Sequence, residues 1–299
     1  MSPRRWALKK KWYQQLKDLL TNLEANSMQA VLRDEDLGIQ LMELSAENDE
    51  EYNVDFDSRF FTPLRREGLP VSPCEPSLYD PDDNDEHPSF WPRELHELQN
   101  DYLDGRELAD SLAAHLSKLT DQRRWTWQRT APGHPYRQGV RYCEHLGLEH
   151  YFLVPYIYDH FSKRKPHQIL IMASDHAPAQ EPDSLIRSEV LAMVSFMKWT
   201  MRSMEREQSL IYPIMVIGIL NRFKLHILQG RFDGRLNIQQ SKIYDFQVAD
   251  HEEVMKVVIC WLMSTPHGDT TYSMEMPLLE SDDHGDGDNN TAKVTTHPA

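Results

Sequence analysis

Cysteine is scarce in this chain: three residues in 299, Cys74, Cys143 and Cys260. They lie far apart and make no metal-ligand spacing, and an odd, sparse count suits a reducing compartment rather than a disulfide framework. Glycine is scarce too, at 12 residues. The sequence holds no phosphate-cradling glycine loop, no dinucleotide fingerprint and no serine nucleophile elbow. Positive charge is in deficit: 32 Lys and Arg against 47 Asp and Glu, a formal net charge of −15. That balance argues against a mainly electrostatic grip on nucleic acid or anionic membrane. Long apolar runs are missing as well. The longest, Ile211–Leu220, is too short to span a bilayer and contains Pro213 and Gly218. The first residues carry bases but no apolar signal-peptide segment. These readings predict a soluble cytoplasmic or nuclear protein without a transmembrane segment.

What is present is concentrated between His167 and Met263. His167–Ala173 is a short apolar run between a proline and a polar break, the pattern of a strand. A helix is predicted from about Ser184 to Ser203, with Asp183 or Glu181 available to cap it. At 100° per residue, Leu185, Ile186, Val190, Met193, Phe196 and Trp199 fall on one broad apolar arc. Arg187, Ser188, Ser195, Lys198 and Arg202 fall opposite. An arc that wide implies a helix buried on more than one side. Glu189 lands inside it, where a carboxylate is costly unless paired, hydrogen-bonded or protonated.

Ile211–Leu220 is almost wholly apolar, as in a central strand buried on both faces. Phe223, Leu225 and Ile227 alternate with Lys224 and His226, the period of a half-exposed strand. Asp233-Gly234 is a hairpin signal, and Leu236 and Ile238 continue the alternation. Asp250 and Glu253 form a capping box before a helix that runs to about Ser264. The order is strand, helix, three meandering strands, helix.

The flanks differ in composition. Residues 1–30 hold a basic amphipathic helix, with Trp12, Leu16, Leu20 and Leu23 on one side and six bases between Arg4 and Lys17. It reads as a solvated face on a helix docked to its own chain, or as a segment for a partner, a membrane surface or nuclear import. Residues 31–90 read as an acidic, proline-rich linker with one short apolar stretch at Leu37–Leu44, residues 91–265 as the core domain, and residues 266–299 as a disordered acidic tail. Within the core, Leu108, Leu112 and Leu116 have helical spacing, with Gly105 as a kink or break. Arg124–Arg129 alternates as a strand whose Trp125 and Trp127 suit a packed sheet face or base stacking. Tyr151–Tyr158 is another strand, and Pro155 pushes it towards an edge or a bulge. Asp159-His160 and Asp175-His176 have donors for a divalent cation, but a hairpin places the pairs at opposite ends.

Two resemblances follow from these residues. Ala173–Ser203 (ASDHAPAQEPDSLIRSEVLAMVSFMKWTMRS) and Phe232–Phe246 (FDGRLNIQQSKIYDF) resemble a family of uncharacterised hypothetical proteins from filamentous fungi, over about residues 165–265. That likeness implies domain limits and a eukaryotic intracellular setting, and no activity. The helix–three-strand–helix order from Ser184 to Ser264 also resembles the core of the PD-(D/E)XK nuclease superfamily. This second likeness implies Mg²⁺ as cofactor, with Glu189 as the helical carboxylate and Asp233 and Lys242 as the strand residues. Asp233 sits at a turn, and Gln240-Ser241-Lys242 replaces a metal-binding carboxylate with an amide, a poor Mg²⁺ ligand.

The reading is therefore an α+β protein with a mainly antiparallel sheet and a long helix packed across it. Its function is expected to be non-catalytic intracellular binding or scaffolding with a protein partner. The alternative is a diverged metal-dependent nuclease using Glu189, Asp233 and Lys242.

Overall fold

The computed structural model describes residues 2–25, 31–33, 40–43, 60–65, 105–114, 116–117, 126–130, 140–145, 148–162, 164–176, 184–202, 208–220, 224–246 and 251–271. Most of the acidic stretch between Asp34 and Asp57, the run Asp80–Glu86, Trp125, Asp183, the Asn221-Arg222 turn, Asp250 and the tail beyond residue 271 lie outside them.

The fold is α+β, built on a mixed, mainly antiparallel sheet. Helix α1 spans Pro3–Ala25. Short strands β1 (Val31–Arg33), β2 (Gln40–Glu43) and β3 (Phe61–Thr62) follow, then a helical stretch α2 over 105–114. Next come β4 (Trp127–Arg129), β5 (Val140–His145), β6 (Leu148–His160), β7 (Gln168–Ser174) and β8 (Ser184–Ile186). The long central helix α3 covers Arg187–Met201. A meander of β9 (Ile214–Leu220), β10 (Lys224–Phe232) and β11 (Leu236–Gln240) leads to β12 (Tyr244–Asp245), α4 (His251–Leu262) and β13 (Thr265–Pro266).

The main sheet runs β2-β11-β10-β9-β7-β6-β4, with β12 also on β10 and β5 also on β6. Its neighbours are antiparallel except for two parallel pairs, β7 with β9 and β2 with β11. The β7–β9 pair requires a crossover, and α3 lies in that connection. β7 and β9 are buried at every position, as a strand covered on both faces must be. The hairpin at Asp233 closes on Gly234, whose φ of +103° is left-handed and suits glycine. Pro155 produces a bulge: the β6–β7 register shifts between Leu153 and Tyr156.

The long helix departs from its predicted start. Ser184–Ile186 is not its first turn but a strand, β8, paired antiparallel with β1. Leu185 and Ile186 suit either state, and pairing with a distant segment decides it. The helix begins after Ile186, which provides no side-chain cap. Arg187, Ser188 and Ser195, expected opposite the apolar arc, are buried as well, while Trp199, expected on that arc, is 39% exposed. The reason is a second cover. One side of α3 meets the sheet, and α1 lies across it from the other direction.

α1 docks through Trp12, Leu16, Leu20 and Leu23. Burying such side chains contributes about 1.5–3 kcal/mol each. Lys9, on the same side, is buried with its ammonium 5.4 Å from the Tyr212 ring centre. Arg202 donates to the Tyr13 hydroxyl, and Arg5 to the Gln208 and Thr271 carbonyls. The stretch read as a linker contributes strands to the body: β1 on β8, β2 on β11 and β3 on β13. Beyond Thr265 the chain still belongs to the body, because the Thr270 carbonyl accepts from the Leu210 and Ile211 amides. Gly105 is the first described residue of α2, so the kink or break expected there lies at the edge of the described residues, and Leu108, Leu112 and Leu116 are buried. Cys260 is a buried residue of α4.

Candidate functional site

Glu189 is the third residue of α3, where the helix dipole favours a carboxylate. It is fully buried, facing β9 and β10. Gly218 on β9 leaves the space it occupies, for a Cβ there would collide with Glu189 Oε1 and stand 3.0 Å from the His226 ring. His226 pairs with Gly218 across the β9–β10 register. Its Nε2 bonds Glu189 Oε1. On the other side of the ring, the Gln240 amide nitrogen lies 3.4 Å from His226 Nδ1. The imidazole thus joins α3 to β11 through β10. Glu189 Oε2 is buried and has no hydrogen-bond partner among the described residues.

His226 was expected on the exposed face of a half-exposed strand, yet it is only 2% exposed. The alternation along β10 is real, but α3 covers the face that reads as polar. The available signal was Gly218 inside an otherwise apolar strand, since a strand glycine often marks a close approach.

The three residues of the nuclease reading do not meet in one open cleft. Asp233 lies at the far end of β10, seven residues from His226, roughly 23 Å along an extended strand. Its carboxylate accepts from Asn237 Nδ2 at 3.1 Å and faces Arg231 Nε at 3.5 Å. Lys242 is exposed, its ammonium 5.6 Å from the Tyr244 ring centre. The amide at position 240 reaches His226, not a metal ligand set.

The two Asp-His pairs stand at opposite ends of the β6–β7 hairpin. Asp159 is opposite Gln168, while Asp175 accepts from the Tyr151 amide at 3.0 Å. Among the described residues no three of His, Cys, Asp and Glu are grouped to hold a metal ion. Trp127 is a core residue, 3% exposed and stacked on Phe61 at 6.1 Å, and its indole N–H donates to the Ser264 carbonyl. Its burial favours the packed sheet face over base stacking.

A cleft of about 380 Å³ opens elsewhere, between α2 and the outer strands β4 and β6. Arg129 is opposite Tyr158 in the β4–β6 register, so the two share a sheet face, as does Tyr156 two residues along. The Arg129 guanidinium lies over the Tyr156 ring, 4.5 Å from its centre. The Tyr156 hydroxyl donates to Asp110 Oδ1 on α2 at 2.7 Å. Burial, then the Asp110 bond, raises the Tyr156 phenol above its ordinary value of 10.0. Burial pushes Tyr158 up to about 12, so both phenols stay neutral near pH 7. This site was missed because it joins segments distant in sequence, each unremarkable alone.

No helix among the described residues is long and apolar enough to cross a membrane. The chain matches no family model, no curated protein and no solved structure.

Proposed function

We propose that the chain is a non-catalytic intracellular binding or scaffold protein that presents the outer face of α1 to an acidic protein partner. One observation carries this reading. α1 buries its apolar side against the body and leaves Arg4, Lys10, Lys11 and Lys17 exposed beside Trp6, which is 60% exposed. Aromatic and basic residues together suit an interface anchor with a charged rim. The closed setting of Glu189 supports the non-catalytic half, because a general base must reach its substrate.

Affinity capture with the full chain tests it, followed by identification and direct binding of the partner. Lys10→Glu combined with Lys17→Glu is the matched control. An acidic partner held by the wild type and lost by the variant is the expected result. A wild-type chain recovered alone, as an inert monomer in size exclusion, contradicts it.

The second reading, a diverged Mg²⁺-dependent nuclease, draws support from the helix–meander–helix order of α3, β9, β10, β11 and α4. Its test is incubation with DNA and RNA plus Mg²⁺ or Mn²⁺, alongside Glu189→Gln and Lys242→Ala. Cleavage lost in both variants would favour it over the binding reading. The present reading expects no cleavage by the wild type.

A further inference from the structure

We propose that the cleft between α2 and strands β4 and β6 binds a small aromatic zwitterion, with its ring against the tyrosines, its carboxylate on Arg129 and its ammonium on Asp110. The inference goes beyond the partner-binding reading and does not depend on α1, so either can fail without the other.

The cleft is built by spacing. Asp110, Ala113 and Ala114 of α2 line it together with Ser117 of the helical pair 116–117, at i, i+3, i+4 and i+7, the spacing of one helix face. The two alanines leave open the volume that larger side chains would fill. From the sheet, Tyr156 and Tyr158 supply an aromatic floor. A volume of about 380 Å³ falls in the range of small-molecule sites, which combine apolar walls with a few placed polar groups.

The polar groups define the ligand. The Arg129 guanidinium lies over the Tyr156 ring and makes no hydrogen bond among the described residues. A ring contact uses none of the guanidinium's N–H donors, and the fork they form can hold a carboxylate in two parallel bonds. Asp110 accepts from Tyr156 through Oδ1, which leaves Oδ2 to accept from an ammonium. Among the described residues, Arg129 and Asp110 are the only full charges lining the cleft, one of each sign. A simple anion meets repulsion from Asp110, and a simple cation meets it from Arg129. A ligand carrying both charges satisfies both residues. The Tyr156 ring lies between them, Arg129 over its face and Asp110 at its hydroxyl. The ligand's ring then packs beside Tyr156 and Tyr158, where aromatic pairs gain beyond simple area burial.

The test is an NMR titration of the full chain with L-phenylalanine as probe, and with three analogues that each lack one feature. 3-Phenylpropionate lacks the ammonium, phenethylamine lacks the carboxylate and L-leucine lacks the ring. The proposal expects saturable shifts with phenylalanine confined to residues around the cleft, and binding weaker by at least about tenfold for each analogue. Arg129→Gln should weaken phenylalanine and 3-phenylpropionate but spare phenethylamine. Asp110→Asn should do the reverse, sparing 3-phenylpropionate. Ala114→Leu, at an exposed position of a helix, should keep the fold and abolish binding by filling the cleft. Absence of saturable shifts in the folded wild type, shifts centred elsewhere, or equal affinity for all four probes would overturn it. So would undiminished phenylalanine binding in folded Ala114→Leu.

Discussion

Glu189 and His226 are hydrogen-bonded across the bare backbone of Gly218, closed off from solvent at 0% and 2% exposure. The helix can approach the sheet this closely only because position 218 has no side chain. Gly218→Ala therefore inserts a methyl where Glu189 Oε1 and the His226 ring already stand. In a strand, alanine would ordinarily be the better residue. Here overpacking reverses the sign, and a loss of about 1–3 kcal/mol is expected. Urea denaturation at neutral pH measures it, and an unchanged or raised midpoint would show that the seam has room.

His167 sets a pH dependence. It is 1% exposed, enclosed by Phe60 and Phe61, and its Nε2 donates to the His267 carbonyl at 2.9 Å. Burial lowers its pKa from 6.5 to about 3, opposed by the His267 bond and reinforced by the nearby charges of His160 and Lys165. Above pH 6.5 the ring is neutral in both folded and unfolded chains. Below that, the unfolded chain takes up a proton that the folded chain refuses until about pH 3. Stability present above pH 6.5 is thus lost as pH falls towards 3, by up to about 1.4 kcal/mol per unit. His167→Gln removes the titration. Its stability should fall less between pH 7 and pH 4 than that of the wild type, by equilibrium denaturation. Parallel curves would exclude His167 as a source of acid sensitivity.

A buried chain of hydrogen bonds crosses from the sheet edge to α3. Thr130 donates to Asp159 Oδ2 at 2.7 Å, Gln168 to Asp159 Oδ1 at 2.8 Å, and Thr200 to Gln168 Oε1 at 2.6 Å. Gln168→Met keeps the volume and removes the middle link. It strips a hydrogen bond from a buried carboxylate and another from a buried hydroxyl, each worth about 1–3 kcal/mol when lost. A combined loss of about 2–4 kcal/mol is expected, and Thr200→Val should cost less, since only Gln168 Oε1 then lacks its donor. Thermal unfolding of both variants checks the order, and a larger loss for Thr200→Val would contradict the chain's arrangement.

The sheet centre was legible because its signals are local. Continuous apolar runs became β7 and β9, the Asp233-Gly234 pair closed β10 on β11, and a 3.6-residue period became α4. The misreadings share one cause. β8 forms because a segment some 150 residues earlier pairs with it, and no local pattern records that. His226 follows the alternation of an exposed strand but lies under a helix, so its burial is a property of the cover. Glu189 was singled out by its position among apolar neighbours, whereas its partner was not. The cleft at Arg129 and Asp110 was invisible for the same reason, being assembled from three separate segments.

Glu189 serves the seam between helix and sheet, and a double-mutant cycle measures that role most directly. Glu189→Ala and His226→Ala are made singly and together, and unfolding free energies are compared in denaturant. Breaking a buried pair by removing one partner is expected to cost about 3–5 kcal/mol in each single variant. The double variant should cost less than their sum, by about 1–3 kcal/mol. Single losses under about 0.5 kcal/mol that simply add, as exposed positions give, would contradict the closed pair and the architecture drawn around it.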